Sequence, residues 1–311
     1  MKRLLAISAL LFGACLLVAC GGEGANSEEL LIIDQNILHG LIDEDPDAEP
    51  LDRFAERIEL FSHAVGREQP DVLFMQEVVG EPDENYPDLR ATVLGTLGGD
   101  YSAVFGNFLG GPIGEAGLGQ MTFTRLPITL SENRSVSQIR SVQHLALQTE
   151  HGTVDVYNAH LEGTGAVLET GEDAAVAEMD AVIAFIEETR DPLGVAILAG
   201  DLNAEPDDPS IQRLIDAGFI DALAEAGNAT CEEAGDPGCS NSEIPLANNP
   251  ERTSDHRIDY VWVKGGDARG VEVKEAELFL ADAVDIDEGE LLQVSDHIGL
   301  IVRLEIKTVE G

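Results

Sequence analysis

Six apolar runs in this 311-residue chain begin or end on residues able to do chemistry. Four close on Asp34-Gln35-Asn36, Gln76-Glu77, Asn158-Ala159-His160 and Gly200-Asp201-Leu202-Asn203, and two open with Arg257-Ile258-Asp259 and Ser295-Asp296-His297. A single such ending is ordinarily a turn, because Asx side chains favour turns. Six that share one palette describe a convergent site, carried on strand ends where loops hold function on a rigid scaffold. Carboxylates and amides are hard oxygen ligands suited to Mg²⁺ or Ca²⁺, and Mg²⁺ is characteristically held by one or two carboxylates plus substrate phosphate. Histidines preceded or supported by acids suit proton transfer. Asp296 and His297 are neighbours at a strand end, so they can face opposite ways, one toward a metal and one toward a proton.

Several other chemistries lack their residues. No HExxH or CxxC pair offers a zinc cage, no glycine-rich loop leads into Lys-Ser/Thr, and no GxSxG marks a serine hydrolase. A paired-carboxylate glycosidase would need no Asp–His pairs. The glycine-rich stretch 106–119 reads as a mobile lip, and the acidic "LIDEDPDAEPLD" as a solvated loop rather than a Ca²⁺ site. His39, His63, His144 and His151 pair with no motif and read as structural. Arg125, Arg140, Arg252 and Arg257 are candidate phosphate contacts, although surface charge is the commoner role.

The elements that must position these residues alternate along the chain. "ELLIIDQNI", "DVLFMQEV", "YSAVFG", "MTFTRLPI", "QHLALQTE", "TVDVYNAHL", "GVAILAG", "RIDYVWV", "VKEAELFL" and "HIGLIVRLEI" read as strands, with a hairpin at Glu150-His151-Gly152. Leu51, Phe54, Ala55, Ile58, Phe61 and Val65 keep helical spacing up to Gly66 and Pro70; residues 91–110 predict a helix, and Val176, Met179, Ile183 and Ile186 mark another. Asp208-Pro209 opens a helix that Gly218 closes. Strands that are apolar throughout, mixed with a few helices, imply α/β or α+β layers with sheets covered on both faces.

Before this body comes a targeting signal. Lys2 and Arg3 precede an apolar run from Leu4 to Val18, and "LVAC" at 17–20 resembles a bacterial lipobox, which implies cleavage before Cys20 and lipidation of its thiol. The expected division is a signal peptide at 1–19, a lipid-anchored tether at 20–29 and one domain at 30–311, with the chain held at the outer membrane, periplasm or cell surface. Cys15 leaves with the signal. Cys231 and Cys239, in the turn-rich "TCEEAGDPGCSN", then read as one loop-stapling disulfide.

Asn36, "QE" at 76–77, "NAHL" at 158–161, "GDLN" at 200–203, "RIDYV" at 257–261 and "SDH" at 295–297, with "TRLPI" at 124–128, resemble in order the motifs of the endonuclease/exonuclease/phosphatase superfamily. The resemblance spans residues 31–302 and implies an α+β fold, a four-layer αββα sandwich of two mixed β-sheets flanked by helices (DNase-I-like), and divalent-metal cleavage of phosphoesters. It implies Glu77 as the chief metal ligand, with Asn36 and Asp296 helping to position metal and phosphate. Asp201 and Asn203 would line the scissile group, Asp201 orienting water. His297 would face the phosphoryl group with Asp259 fixing its tautomer, and His160 would serve as leaving-group acid or phosphate ligand. Where many members carry an aromatic residue before the Asn, this chain has Gln35, a change expected to alter packing more than chemistry.

The motifs do not choose a substrate. Polyanion binding rests on Lys and Arg, whereas this chain has 18 basic against 59 acidic residues, a formal charge of −41. The expected enzyme is a monomeric phosphoesterase using Mg²⁺ (or Mn²⁺ or Ca²⁺) on phosphodiesters or phosphomonoesters, favouring small or lipid-borne substrates. The alternatives are an extracytoplasmic nuclease on DNA or RNA and, in another class, a non-catalytic binding lipoprotein.

Overall fold

The structure, a computed structural model, describes residues 27–38, 53–80, 88–108, 117–163, 173–241, 254–287 and 290–309. In chain order the elements are β1 (Ser27–Asn36), α1 (Phe54–Glu68), β2 (Val72–Val79), α2 (Leu89–Leu97), β3 (Ser102–Asn107), β4 (Leu118–Thr124), β5 (Ile128–Ser135), β6 (Ser141–Thr149), β7 (Gly152–His160) and α3 (Ala174–Thr189). They continue through β8 (Val195–Asp201), α4 (Pro209–Asp216), β9 (Ile220–Asp221), α5 (Ala222–Glu225), β10 (Asp259–Lys264), β11 (Arg269–Phe279), β12 (Val284–Asp287), β13 (Glu290–Leu292) and β14 (Gly299–Thr308). One six-stranded sheet runs β11-β14-β1-β2-β4-β3, another β5-β6-β7-β8-β10-β9, and β12-β13 is a separate ribbon.

Period-two alternation divides each central strand between two cores. Leu30 and Ile32 of β1, Phe74 of β2, Val156 of β7, Ile197 of β8 and Val261 of β10 meet between the sheets. Their neighbours point outward. Ile33, Leu73 and Met75 pack with Ile58 and Phe61 of α1 and Val93 of α2. Tyr157, Leu198, Tyr260 and Trp262 pack with Met179 and Val182 of α3 and Ile211 of α4. The layers are therefore helix, sheet, sheet, helix: the expected four-layer sandwich of two mixed sheets. Burying each such Val, Leu, Ile or Phe contributes about 1.5–3 kcal/mol, which is why the strands are apolar on both faces.

Two local expectations are corrected. The helix expected over 91–110 stops at Leu97, where Gly98 takes φ +98° and leads into β3. The first helix ends at Glu68, between Gly66 and Pro70 as expected, and Gly66 is a close-approach point: a Cβ there would lie 2.4 Å from Thr96 Cγ2 of α2. "MTFTRLPI" is not one strand. It breaks at Arg125, and the chain leaves the first sheet through β4 and enters the second through β5. At the other end, β1 begins at Ser27, inside the stretch 20–29 expected as a tether. Cys20 and the rest of the expected signal lie outside the described residues. Cys231 and Cys239 are bonded, with Cα atoms 5.0 Å apart.

Candidate active site

The site lies where both sheets end on the same side. In the second sheet, β7 and β8 run parallel with His160 beside Asp201, and β10 runs antiparallel with Asp259 beside Asp201. Three chemically active side chains thus stand in adjacent rows. Gly200 makes this approach possible: at φ +139° a Cβ would fall 1.8 Å from Ala159 O of the neighbouring strand.

From the first sheet come Asn36, at the end of β1, and Glu77, on β2. A regular strand would send Glu77 to the helix side. Instead the β2–β4 register breaks between Met75 and Val78, both of which pack toward α1 and α2, and Glu77 adopts φ +56°. A bulge with a non-glycine residue in the left-handed region costs about 1 kcal/mol or more and re-aims a side chain, a device concentrated at functional sites. Here it turns the carboxylate into the cleft. Asn203 takes φ +49°, a conformation Asn tolerates.

Asp201 is the meeting point. Its Oδ2 accepts from Asn36 Nδ2 at 2.9 Å and lies 3.4 Å from His160 Nε2 and 3.7 Å from His297 Nε2. Its Oδ1 accepts from the Asn203 backbone N–H at 2.9 Å. The Asn36 amide also donates to Glu77 Oε1 at 3.1 Å, while its Oδ1 accepts from Leu38 N. Asn36 therefore holds the two carboxylates side by side. His297 Nδ1 donates to Asp259 at 2.9 and 3.0 Å, which fixes the tautomer and leaves Nε2 toward the cleft. Asn203 Nδ2 donates to Leu161 O at 3.0 Å. Asp296 stands at the rim, with Oδ1 accepting from Ser295 Oγ and 3.9 Å from His297 Nε2. All eight residues singled out for catalysis or metal binding are thus in one neighbourhood.

The cleft, about 480 Å³, is lined by Glu77, His160, Asp201, Asn203 and His297 together with Phe108, Leu118, Ile139, Arg140, Asn241 and Ile258. Phe108 packs edge-on against His160 with centroids 5.1 Å apart, and Arg140 lies over the Phe108 ring. Of the four candidate phosphate arginines, only Arg140 reaches this cleft among the described residues. Arg125 pairs with Asp71 at 2.6 Å and buried Arg257 with Asp221, while Arg252 lies outside them. His144 is buried against Asp155 and Tyr157, away from the site.

Electrostatically the cluster holds protons. Burial, reinforced by repulsion from Asp259, pushes Asp201 up to about 7, against the opposing pull of His297, Asn36 and the Asn203 N–H. For His297 burial acts downward, but the carboxylates of Asp259 and Asp201 outweigh it and hold the imidazole well above its ordinary value. Asp34, one layer deeper, is held well above the carboxylate range by burial and by Asp259. Glu77, His160 and Asp201 bring ligand atoms within 4.8 Å of one another, and so do Asp201, Asp259 and His297. Two carboxylates pressed together, one of them protonating near neutrality because it is buried, fit a hard divalent cation.

Behind the site the inter-sheet core turns polar. Gln76 Nε2 donates to Asp34 Oδ1 and to Asn158 Oδ1 of the opposite sheet, each at 2.8 Å, and Asn158 Nδ2 is shared among Met75 O, Met121 O and Thr122 Oγ1. Gln35 Nε2 donates to Asn36 O and His297 O, joining the two segments from within. The fully buried Arg57 of α1 donates to Ile37 O, Leu38 O and Val294 O, clamping the backbone after Asn36 to that before Asp296. None of these long-range contacts has a sequence signal, nor do Phe108 and Asn241; only the buried-strand position of Gln35 and Gln76 hints at a polar seam.

The chain matches the model of the Endonuclease/Exonuclease/phosphatase family over residues 35–297. It belongs to that family. Members are phosphoester hydrolases dependent on divalent metal, and Glu77, His160 and Asp201 are placed so that they could hold such an ion. Among curated proteins it is similar to the "Putative neutral sphingomyelinase" of Drosophila melanogaster, 32% identical over 161 residues, half of this chain. That match covers 34% of the relative's length. Among solved structures it resembles an endonuclease/exonuclease/phosphatase family protein of Bacteroides thetaiotaomicron (TM-score 0.66, 16% identity, 90% of this chain and 95% of that one). It also resembles D. rerio TDP2 complexed with single-strand DNA product (TM-score 0.63, 18% identity, 89% and 98%). These neighbours share its fold.

Proposed function

We propose that the chain is a metal-dependent phosphodiesterase acting on small or lipid-borne phosphodiesters. The observation that carries the reading is the convergence on Asp201: one carboxylate, touched by an amide shared with Glu77 and flanked by the Nε2 atoms of two histidines. Glu77 and Asp201, kept adjacent by Asn36, would hold the ion, Mg²⁺ being the hard cation for which such a set is suited. When bound it would neutralise charge developing on the phosphoryl oxygens. Asp201 would orient the attacking water and take up its proton. His297, oriented by Asp259, supplies an Nε2–H to a phosphoryl oxygen, and His160 faces the leaving group from the other side of Asp201. Asp296 stands beside His297, 3.9 Å from its Nε2.

For the substrate class, three features support a lipid-borne or small diester. The cleft wall is apolar at Phe108, Leu118, Ile139 and Ile258 with Arg140 beside it, the chain carries −41 formal charges, and the Drosophila relative is named for a sphingomyelinase. A strongly acidic protein repels nucleic acid unless a basic groove intervenes. Anchorage at a bacterial envelope through lipidated Cys20 would place the cleft beside such lipids, and intact-mass analysis of the mature protein tests it. The activity test uses the full chain in detergent with Mg²⁺, offered sphingomyelin vesicles, inositol phosphates and plasmid DNA. Headgroup release that EDTA abolishes is expected. Turnover undiminished in EDTA overturns the metal reading, and preferential cleavage of DNA overturns the substrate reading.

A further inference from the structure

Ser240 lies outside every motif, in the segment that follows the disulfide, and is 1% exposed. Its Oγ donates to Asp259 Oδ2 at 2.6 Å and accepts from the backbone N–H groups of Ile258 and Asp259 at 3.3 and 3.2 Å. A hydroxyl has one donor and two acceptor sites, so its capacity is filled. The Asp259 carboxylate is consequently gripped on one side by Ser240 and on the other by His297 Nδ1. The backbone of Ser240 repeats the link: its N–H donates to His256 O at 2.7 Å, and its carbonyl accepts from Ile298, the residue after His297. Next to it, Asn241 forms β-bridges with both His256 and His297 and reaches the cleft.

Ser240 belongs to no helix or strand, so its position must be set by what precedes it. Cys239, also 1% exposed, is joined to Cys231. The enclosed turn is closed further by Asp236 Oδ2, which accepts from Glu232 N and Glu233 N, and by Gly238 N donating to Thr230 O. A Cβ on Gly238 would lie 2.5 Å from Ala229 C, so the loop has no slack there. On the Cys231 side the chain returns to α5, whose Ala222 and Leu223 are embedded in the core between the sheets.

We propose that Ser240 is a positioning residue for the Asp259–His297 pair and that the Cys231–Cys239 disulfide holds it there. The inference rests on the reading of His297 as catalytic. Without the hydroxyl the carboxylate is free to turn, and the imidazole hydrogen-bonded to it turns with it, away from the phosphoryl group. Without the disulfide, Ser240 itself loses its tie to the packed α5.

The test compares Ser240→Ala, Ser240→Thr, the double variant Cys231→Ser/Cys239→Ser, and His297→Ala in the full chain. Hydrolysis of bis-p-nitrophenyl phosphate with Mg²⁺ is measured, together with the low-field imidazole N–H proton resonance of the metal-free protein, which His297→Ala assigns by deleting it. Ser240→Ala is expected to lower kcat by about 10- to 100-fold with KM held within about twofold, the signature of misplacement rather than lost binding. Ser240→Thr restores kcat, and the double cysteine variant reproduces the loss. The resonance should persist in Ser240→Thr and shift or vanish in Ser240→Ala and the cysteine variant. Wild-type kcat and an unmoved resonance in Ser240→Ala overturn the role of Ser240. The same result in the cysteine variant overturns the role of the disulfide, and it decides the matter should Ser240→Ala fail to fold. Full activity in His297→Ala would instead overturn the catalytic reading beneath both.

Discussion

Replacing Asp201 by Asn should flatten the pH dependence of stability in the metal-free protein. Asp201 rises from an ordinary 3.8 to about 7 on folding, chiefly through burial. A carboxyl raised in the folded state binds its proton more tightly there than in the unfolded chain, so stability falls as pH rises between the two values. The burden is absent below 3.8 and complete above about 7. Three units at 1.36 kcal/mol each make it about 4 kcal/mol, more than half of which falls between pH 5 and 7.5. His297 acts with the same sign: its folded value is raised, so its stabilisation is full below 6.5 and is lost as pH rises through that folded value. The lone tryptophan, Trp262, is buried in the outer core and reports unfolding. Urea titrations in EDTA at pH 5 and 7.5 should show the wild type markedly weaker at the higher pH and Asp201→Asn losing the share of that difference due to Asp201, while the shares of Asp34 and His297 remain, whatever its absolute stability. An equal pH slope in both proteins would refute the electrostatic reasoning.

Glu77→Gln keeps the size of the side chain and removes its charge; Mn²⁺ at 100 times its Kd should raise wild-type stability by about 2.7 kcal/mol and leave the variant unmoved in a thermal-shift assay. Asn158→Ala should cost about 3 kcal/mol in urea unfolding, because it strands Gln76 and removes four hydrogen bonds between the sheets. Opening the Cys231–Cys239 loop, of sequence separation 8, should cost about 2.5 kcal/mol on chain-entropy grounds, read as a drop in the urea midpoint.

Much of the site was legible because strand-end polar residues leave a pattern in one dimension. Asn36, Glu77, His160, Asp201, Asp259 and His297 each interrupt an apolar run, and the interruption itself is the signal. Roles were harder to read. Asn36 spends its amide on two carboxylates, a relation set by the β1–β2 register and the Glu77 bulge. Arg57 and Gln35 act through backbone groups 237 and 262 residues away, and Ser240 through a carboxylate in another element, so no local spacing marks them. The fold behaved likewise. Unbroken apolar runs in β1 and β8 announced two-sided burial, but "MTFTRLPI" carries one continuous strand propensity although the chain changes sheets inside it. Gly66 and Pro70 bracket the end of α1, but that Gly66 is also where α1 meets Thr96 of α2 had no sign in the sequence.

The central claim is that both sheets deliver one divalent-cation and phosphoryl site to Asp201. Crystals grown with Mn²⁺ and inorganic phosphate test it most directly through anomalous scattering. The account predicts a manganese peak in contact with the Glu77 carboxylate, with a phosphate between it and the Nε2 atoms of His160 and His297. A strong manganese peak elsewhere, with Glu77 and Asp201 still joined only through Asn36, would contradict it.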